Sequence, residues 1–347
     1  MTTKEFKNFF ILKFFIITLI FFITLIFCGG REIHVGTDTY DYHKIFEIIN
    51  FYDYPPEAIT WEPLYVYLNK LIYFLNGDSY ILIFISSFIS ISVIFYFIIK
   101  ESNNKYLSII LYICIFGYLF TFNGVRQSIA ISFFVIAMYN LNNDNKKYLY
   151  IYSIIAFLFH YSVIVVILIY FIFSLINKRI IILTIWLVSL FIISNPIFTT
   201  LILEPFINLF SLILPFKYQY YFDELLYEAN LNLKILFYQI IFIMYYYVLN
   251  VKKVEFSKYK KYIELSMIGI IVYNYFFYLE FFNRFAIYFE IFNIIAIPFS
   301  IYVIFFKKYK YLYFLIVIIL FLFSIMLLIR SLISGSNGII NYSNWII

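Results

Sequence analysis

Tyr80-Ile81-Leu82-Ile83-Phe84-Ile85-Ser86-Ser87-Phe88-Ile89-Ser90-Ile91-Ser92-Val93-Ile94-Phe95-Tyr96-Phe97-Ile98-Ile99 is an apolar run without a single formal charge. As a helix rising about 1.5 Å per residue it reaches about 30 Å, the thickness of the hydrocarbon core of a bilayer. Similar runs flank it, at 9–27 on one side and at 106–121, 124–141, 181–203, 233–249, 262–279, 285–306 and 311–329 on the other. In lipid each backbone N–H and C=O must be bonded inside the protein, so these runs read as helices. The expected fold is all-α: a polytopic membrane bundle of about eleven segments, forming a single integral membrane domain.

Composition supports that class. The 347 residues are 65% hydrophobic and 25% aromatic, with a mean hydropathy of +0.93, far from a soluble domain. The net charge of +6 comes from lysines scattered through short loops. With no basic face and no nucleic-acid motif beside them, they exclude nucleic acid as the expected partner and leave the bilayer. Cys28 and Cys114 fall at the end of one run and inside another, which does not suit a disulfide framework. The first run, 9–27, is longer than the roughly 7–15 residues of a signal-peptide core. Cys28-Gly29-Gly30 gives no small-x-small cleavage site, and Leu25-Ile26-Phe27 is too bulky for a lipoprotein signal. An uncleaved first helix is expected.

The lysines also set the topology. Lys4 and Lys7, Lys100 and Lys105, Lys146 and Lys147, the group from Lys252 to Lys261, and Lys307, Lys308 and Lys310 share one side if the spans alternate. By the positive-inside rule that side is the cytoplasm, and the N-terminus lies there. Segment 148–176 would exceed roughly 40 Å as one helix, too long for an upright crossing. It is either a steeply tilted helix or two short ones bent near His160-Tyr161-Ser162. Keeping Lys178 and Arg179 with the other basic residues favours a hairpin here, with 205–216 lying along the surface. The competing arrangement has one span here and an extra crossing at 197–214.

Both arrangements collect polar residues on one outer face: an outer loop over 29–79, the junction Asn123-Gly124-Val125-Arg126, a second outer loop over 204–232 with acidic residues at 223–228, and Asn283-Arg284. Within the first loop, Glu62-Pro63-Leu64-Tyr65 opens an amphipathic stretch to Asn76, with Pro63 suited to a first helical turn. It reads as an interfacial helix, broken by Gly77-Asp78-Ser79.

Each polar exception has two readings. Arg126 and Gln127 open a membrane helix after a glycine, where free N–H groups and a guanidinium would seat an anion such as phosphate; the alternative is an arginine snorkelling to lipid phosphate. Arg284 would add a second guanidinium. Glu62 either caps the interfacial helix or serves as a base or an arginine partner. Asp38, in Gly36-Thr37-Asp38-Thr39, is a carboxylate available for chemistry or part of an Asx-type turn. His160 stands alone among apolar residues, as a structural histidine or as a base at a helix break. His34 and His43 read as surface residues. No Asp-x-Asp, Walker or Gly-x-Ser-x-Gly element and no zinc-spaced His/Cys cluster is present, so nucleotide-driven and metal chemistry have no expected seat.

The series Gly36-x-Asp38-x-x-Asp41-Tyr42, Glu62-Pro63-Leu64-Tyr65 with Leu68-Asn69, Phe122-Asn123-Gly124-Val125-Arg126-Gln127-x-Ile129-Ala130, Ala156-x-Leu158-Phe159-His160-x-Ser162 and Asn283-Arg284-Phe285 resembles the EpsG family of Wzy-like polysaccharide polymerases. Order and spacing agree over roughly residues 30–300. The resemblance implies a multi-pass protein of the bacterial inner membrane with a GT-C-like architecture and an extracytoplasmic active face. Its implied reaction polymerises undecaprenyl-diphosphate-linked oligosaccharide repeat units into O-antigen, capsule or exopolysaccharide. No cofactor or metal is expected; a chain-length regulator and a flippase are the implied protein partners. On this basis Arg126 and Arg284 are expected to hold the leaving diphosphate, with Gln127 and Asn123 beside them. His160, Asp38 or Glu62 would be the base, and Tyr40, Tyr42 and Trp61 would stack on sugar rings or form a membrane aromatic belt. An O-antigen ligase or other lipid-linked-sugar glycosyltransferase, and a transporter of lipid-linked oligosaccharide, are the alternatives.

Overall fold

The computed structural model describes residues 3–51, 61–176, 178–195, 233–251, 258–306, 308–335 and 337–346. Among them the regular structure is helical, with one isolated antiparallel bridge between Arg31 and Asn344. The chain divides into two compact units, Met1–Val163 with Lys308–Ile347, and Ile164–Lys307.

The first unit begins with α1 (Thr3–Gly29), α2 (Thr39–Phe51), α3 (Pro63–Phe74) and α4 (Ser79–Glu101). It continues with α5 (Lys105–Cys114), a 3-10 turn at Leu119–Phe122, α6 (Val125–Asn142) and α7 (Lys146–Phe159). The second unit holds α8 (Val163–Ser174), α9 (Arg179–Ser194), α10 (Leu233–Val251), α11 (Lys260–Tyr275), α12 (Glu280–Glu290) and α13 (Asn293–Ile301), and the chain returns to the first unit in α14 (Lys310–Ile333).

Local chemistry fixes several of these boundaries. α3 starts at Pro63, as expected, and after its C-cap Leu75 the chain turns through Asn76 at φ 58, a conformation asparagine tolerates better than most residues. Asp78 then caps α4 by accepting the Ile81 N–H at 3.0 Å. A helix is therefore present over Pro63–Phe74 within the expected 62–76 stretch. Beside it, within the stretch expected as an outer loop, lies α2; its buried side chains Tyr42, His43, Phe46 and Ile49 recur at helical spacing.

Among the described residues, four helices are long and apolar enough to cross a membrane, Leu12–Gly29, Ser79–Glu101, Leu233–Asn250 and Lys310–Ile333, and a fifth crossing results if a bent pair counts as one. The expectation of about eleven segments is not met among the described residues. The run at 106–121 yields only the ten residues of α5, because the chain turns at Gly117 with φ 105. The run at 285–306 is not straight: its helices meet at 47°. That break lies against α11, where Gly269 makes room, since a Cβ there would sit 2.9 Å from the Glu290 nitrogen. The long segment at 148–176 breaks between α7 and α8, at His160. The second outer loop at 204–232, the acidic residues at 223–228 and the alternative crossing at 197–214 fall outside the described residues.

After α14 the chain lies along the C-terminal end of α1. Trp345 N–H donates to Gly30 O at 2.9 Å, Glu32 N–H to Ser343 O at 3.1 Å and Gly36 N–H to Gly338 O at 2.9 Å. Tyr342 stacks on Phe27 with ring centroids 5.1 Å apart. This strap fixes the loop that enters α2. It also brings Gly36 close to the start of α6.

Candidate functional site

Three chain breaks in the first unit converge on one carboxylate. Glu62 precedes α3 with extended backbone and makes no side-chain cap to that helix. Its side chain is fully buried and turns the other way. One oxygen accepts Arg126 Nη1 at 2.5 Å, and the other lies 2.8 Å from His160 Nδ1. The capping reading of Glu62 is therefore replaced by the arginine-partner reading. Arg126 comes from the first turn of α6. His160 comes from the C-cap of α7, where its extended backbone ends the helix while its own N–H still bonds Ala156 O at 3.0 Å.

A buried carboxylate is costly unless paired and hydrogen-bonded. Burial pushes the Glu62 carboxyl up, but the His160 hydrogen bond and the Arg126 charge outweigh it and hold the group at about 2. Glu62 is therefore an anion at neutral pH and a poor proton acceptor. Since an ionised carboxylate has no proton to give, His160 Nδ1 is the donor in their contact.

The same face of α3 carries two more polar side chains at helical spacing, Tyr65 and Asn69, both fully buried. The Tyr65 ring lies 5.6 Å from the Arg126 guanidinium carbon, within cation–π reach. The Tyr65 hydroxyl, Asn69 Oδ1, Arg126 Nε and Ser128 Oγ have no protein hydrogen-bond partner. Of these, Arg126 Nε belongs to the ion pair itself. The sequence signal for Tyr65 and Asn69 is their spacing of three and seven from Glu62.

The N-terminus of α6 is more closed than expected. Gly124 N–H donates to Phe120 O at 2.9 Å and Val125 N–H to Asn123 O at 3.2 Å. The Phe120 ring also covers Gly124, where a Cβ would come within 2.3 Å of it. Those two N–H groups are consequently committed to carbonyls. An anion at this end therefore does not find those two groups open, and the Arg126 side chain stands beside them.

The remaining candidates separate. Asn123 is a tether: its Oδ1 accepts Thr37 N–H at 2.8 Å, and its amide nitrogen donates to Asn337 O at 3.4 Å. Asp38 accepts Thr37 Oγ1–H at 2.7 Å within the same turn. Gln127 is buried in α6. Tyr40 is exposed, with Lys44 Nζ 4.4 Å from its ring centre, and Tyr42 is buried, edge-on to Tyr65. Arg284 belongs to α12 in the second unit.

His43 is a correction. It is buried, not superficial, with Nδ1 2.6 Å from Ser79 Oγ and its ring against Tyr80. Burial and the Arg31 charge lower its affinity for a proton. Arg31, which no sequence motif marks, is wholly buried; it donates to Cys28 O at 2.5 Å and to Thr39 Oγ1 at 3.0 Å and lies over the Phe122 ring. It joins the strap, the 36–39 turn and the start of α6. Cys28 and Cys114 are free and buried.

Among known proteins, a family model described as the EpsG family matches residues 14–344. No curated protein and no solved structure matches the chain.

Proposed function

Because the chain belongs to the EpsG family, a family of Wzy-like polysaccharide polymerases, we propose that it joins undecaprenyl-diphosphate-linked oligosaccharide repeat units on the outer leaflet of the bacterial inner membrane. In this reading it is a membrane-embedded glycosyltransferase of GT-C type, whose donor carries its own leaving group. The observation that carries the proposal is the single buried carboxylate shared by His160 and Arg126.

In the proposed reaction a hydroxyl of the incoming lipid-linked unit attacks the anomeric carbon of the growing chain. The bond from that carbon to the diphosphate oxygen breaks, and the electron pair leaves with undecaprenyl diphosphate. The hydroxyl proton passes to His160 Nε2, because Glu62 holds the other ring nitrogen protonated. This ranks His160 above Glu62 and Asp38 as the base. Glu62 orients the ring and stabilises the imidazolium that forms, as the carboxylate does in other carboxylate–histidine pairs. Arg126 keeps one nitrogen on Glu62 and turns the rest of its guanidinium toward the leaving diphosphate. The exposed Tyr40 is proposed as a sugar-stacking residue.

The test is the chain-length distribution of the surface polysaccharide in cells carrying Arg126→Ala or His160→Ala. Single repeat units on carrier lipid, with normal membrane insertion, support the assignment. A normal ladder from either variant overturns it. Sugar transferred to another lipid instead of onto the carrier-linked chain would mark a ligase.

A further inference from the structure

The second unit contains a cavity of about 680 Å³ that none of the chemistry above uses. It lies where four helix ends meet: the C-terminal ends of α8 and α10 and the N-terminal ends of α9 and α11. Its charged lining among the described residues is Arg179, Lys260, Lys261 and Glu264. Three basic side chains thus face one carboxylate. Lys260 Nζ reaches Glu264 at 3.8 Å as a partly exposed helix pair, so in the described lining the basic side chains outnumber the acidic one.

The helix ends add to the imbalance. Neither α9 nor α11 carries an acidic residue in its first turn, although negative charge is what a helix N-terminus favours. Both instead begin with cations, Arg179 in one and Lys260-Lys261 in the other. Arg179 is fixed in position, donating Nη1 to Leu249 O at 2.6 Å and to Asn250 Oδ1 at 3.1 Å. Concentrated positive potential of this kind is relieved by an anion.

The other walls say which kind. Phe173, Ile182 and Met267 line the cavity with apolar surface. On α8, beside it, Phe171, Ile172 and Leu175 are exposed, as membrane-facing residues are. A free inorganic anion has no use for such walls, whereas a lipid needs both parts. We propose that this cavity seats an anionic phospholipid of the surrounding membrane, its phosphate among Arg179, Lys260 and Lys261 and its acyl chains along the apolar wall. This goes beyond the polymerase reading and does not depend on it.

The test uses the full-length protein in neutral detergent, with phosphatidylglycerol, phosphatidylcholine and inorganic phosphate as probes, read by thermal unfolding and by native mass spectrometry. Phosphatidylglycerol should raise the Tm and remain bound, and the other two should do neither. Lys260→Gln/Lys261→Gln should weaken phosphatidylglycerol binding on the order of tenfold or more, each lysine near an anionic headgroup being worth about 1 kcal/mol. Ile182→Trp should weaken it without any change in charge. Lys146→Gln/Lys147→Gln, the same charge change in the first unit, should leave it intact. Equal binding by the wild type and the Lys260/Lys261 variant, or equal loss in the Lys146/Lys147 control, overturns the site. Protection by inorganic phosphate as strong as that by phosphatidylglycerol overturns the lipid and leaves only an anion.

Discussion

Glu62 Oε1 lies 2.8 Å from His160 Nδ1, across 98 positions of sequence. In the proposed reaction this contact holds one ring nitrogen as a donor and gives the proton-accepting role to the other. Glu62→Gln preserves shape but removes the charge that fixes the ring and stabilises its protonated form. Polymerisation by Glu62→Gln should fall by about 10²-fold or more, the scale of general-base catalysis, while the protein still inserts. His160→Gln should fall at least as far. The rate of ladder extension on lipid-linked substrate measures both, and wild-type extension by either variant removes the dyad from the mechanism.

Arg126 and Glu62 also support the fold. Removing one member of a buried pair strands the other charge, at a cost of about 3–5 kcal/mol, and the smaller figure suits a guanidinium that is 19% exposed. Arg126→Met should therefore lower the thermal stability of the detergent-solubilised protein markedly. Glu62→Gln/Arg126→Met, which strands no charge, should recover much of that loss while remaining inactive. Additive losses in the double variant would show that the two side chains do not depend on each other.

The same pair imposes a pH dependence on stability. The Glu62 carboxyl is held at about 2 in the folded protein, against an ordinary value of 4.5. A lowered carboxylate pKa stabilises the fold fully above the unfolded value, and this contribution is lost as pH falls from 4.5 toward 2. Unfolding followed across that window should show a steeper acid loss for the wild type than for Glu62→Gln. Parallel curves would mean that Glu62 does not titrate in this way.

Legibility in the sequence followed the range of the interaction. The apolar run of α4, the Pro63 start of α3 and the helix break at His160 are local signals, and they appear where local chemistry puts them. α2 was locally legible as well, through Tyr42, Phe46 and Ile49, but Asp41, Lys44 and Glu47 between them gave it the look of a loop. The shortness of α5 was hidden because Gly117 sits inside an apolar run, and hydropathy does not register its positive φ. Arg126, Glu62 and His160 could each be singled out as polar exceptions. Their meeting at one carboxylate could not, since no periodicity links a residue before α3 with the ends of α6 and α7. Asn123 adjoins Arg126 in sequence, but its amide bonds Thr37 and Asn337.

The same tether holds the turn that carries Asp38. The turn 36–39 is clamped to the start of α6 by Thr37 N–H on Asn123 Oδ1, and by Thr39 Oγ1, which is 2.6 Å from Val35 O and 3.3 Å from Phe122 O. Gly36 allows the approach: its φ is +96, and a Cβ would stand 2.8 Å from Phe122 O. Gly36→Ala forces a side chain into an unfavourable conformation against backbone, at about 1–3 kcal/mol, and displaces the segment that leads into Arg126. It should lower both Tm and polymerisation. Asp38→Asn keeps an acceptor for Thr37 Oγ1–H at 2.7 Å and should preserve Tm and a normal ladder, because His160 supplies the base. Loss of the ladder in Asp38→Asn at unchanged Tm would return the role of base to this carboxylate.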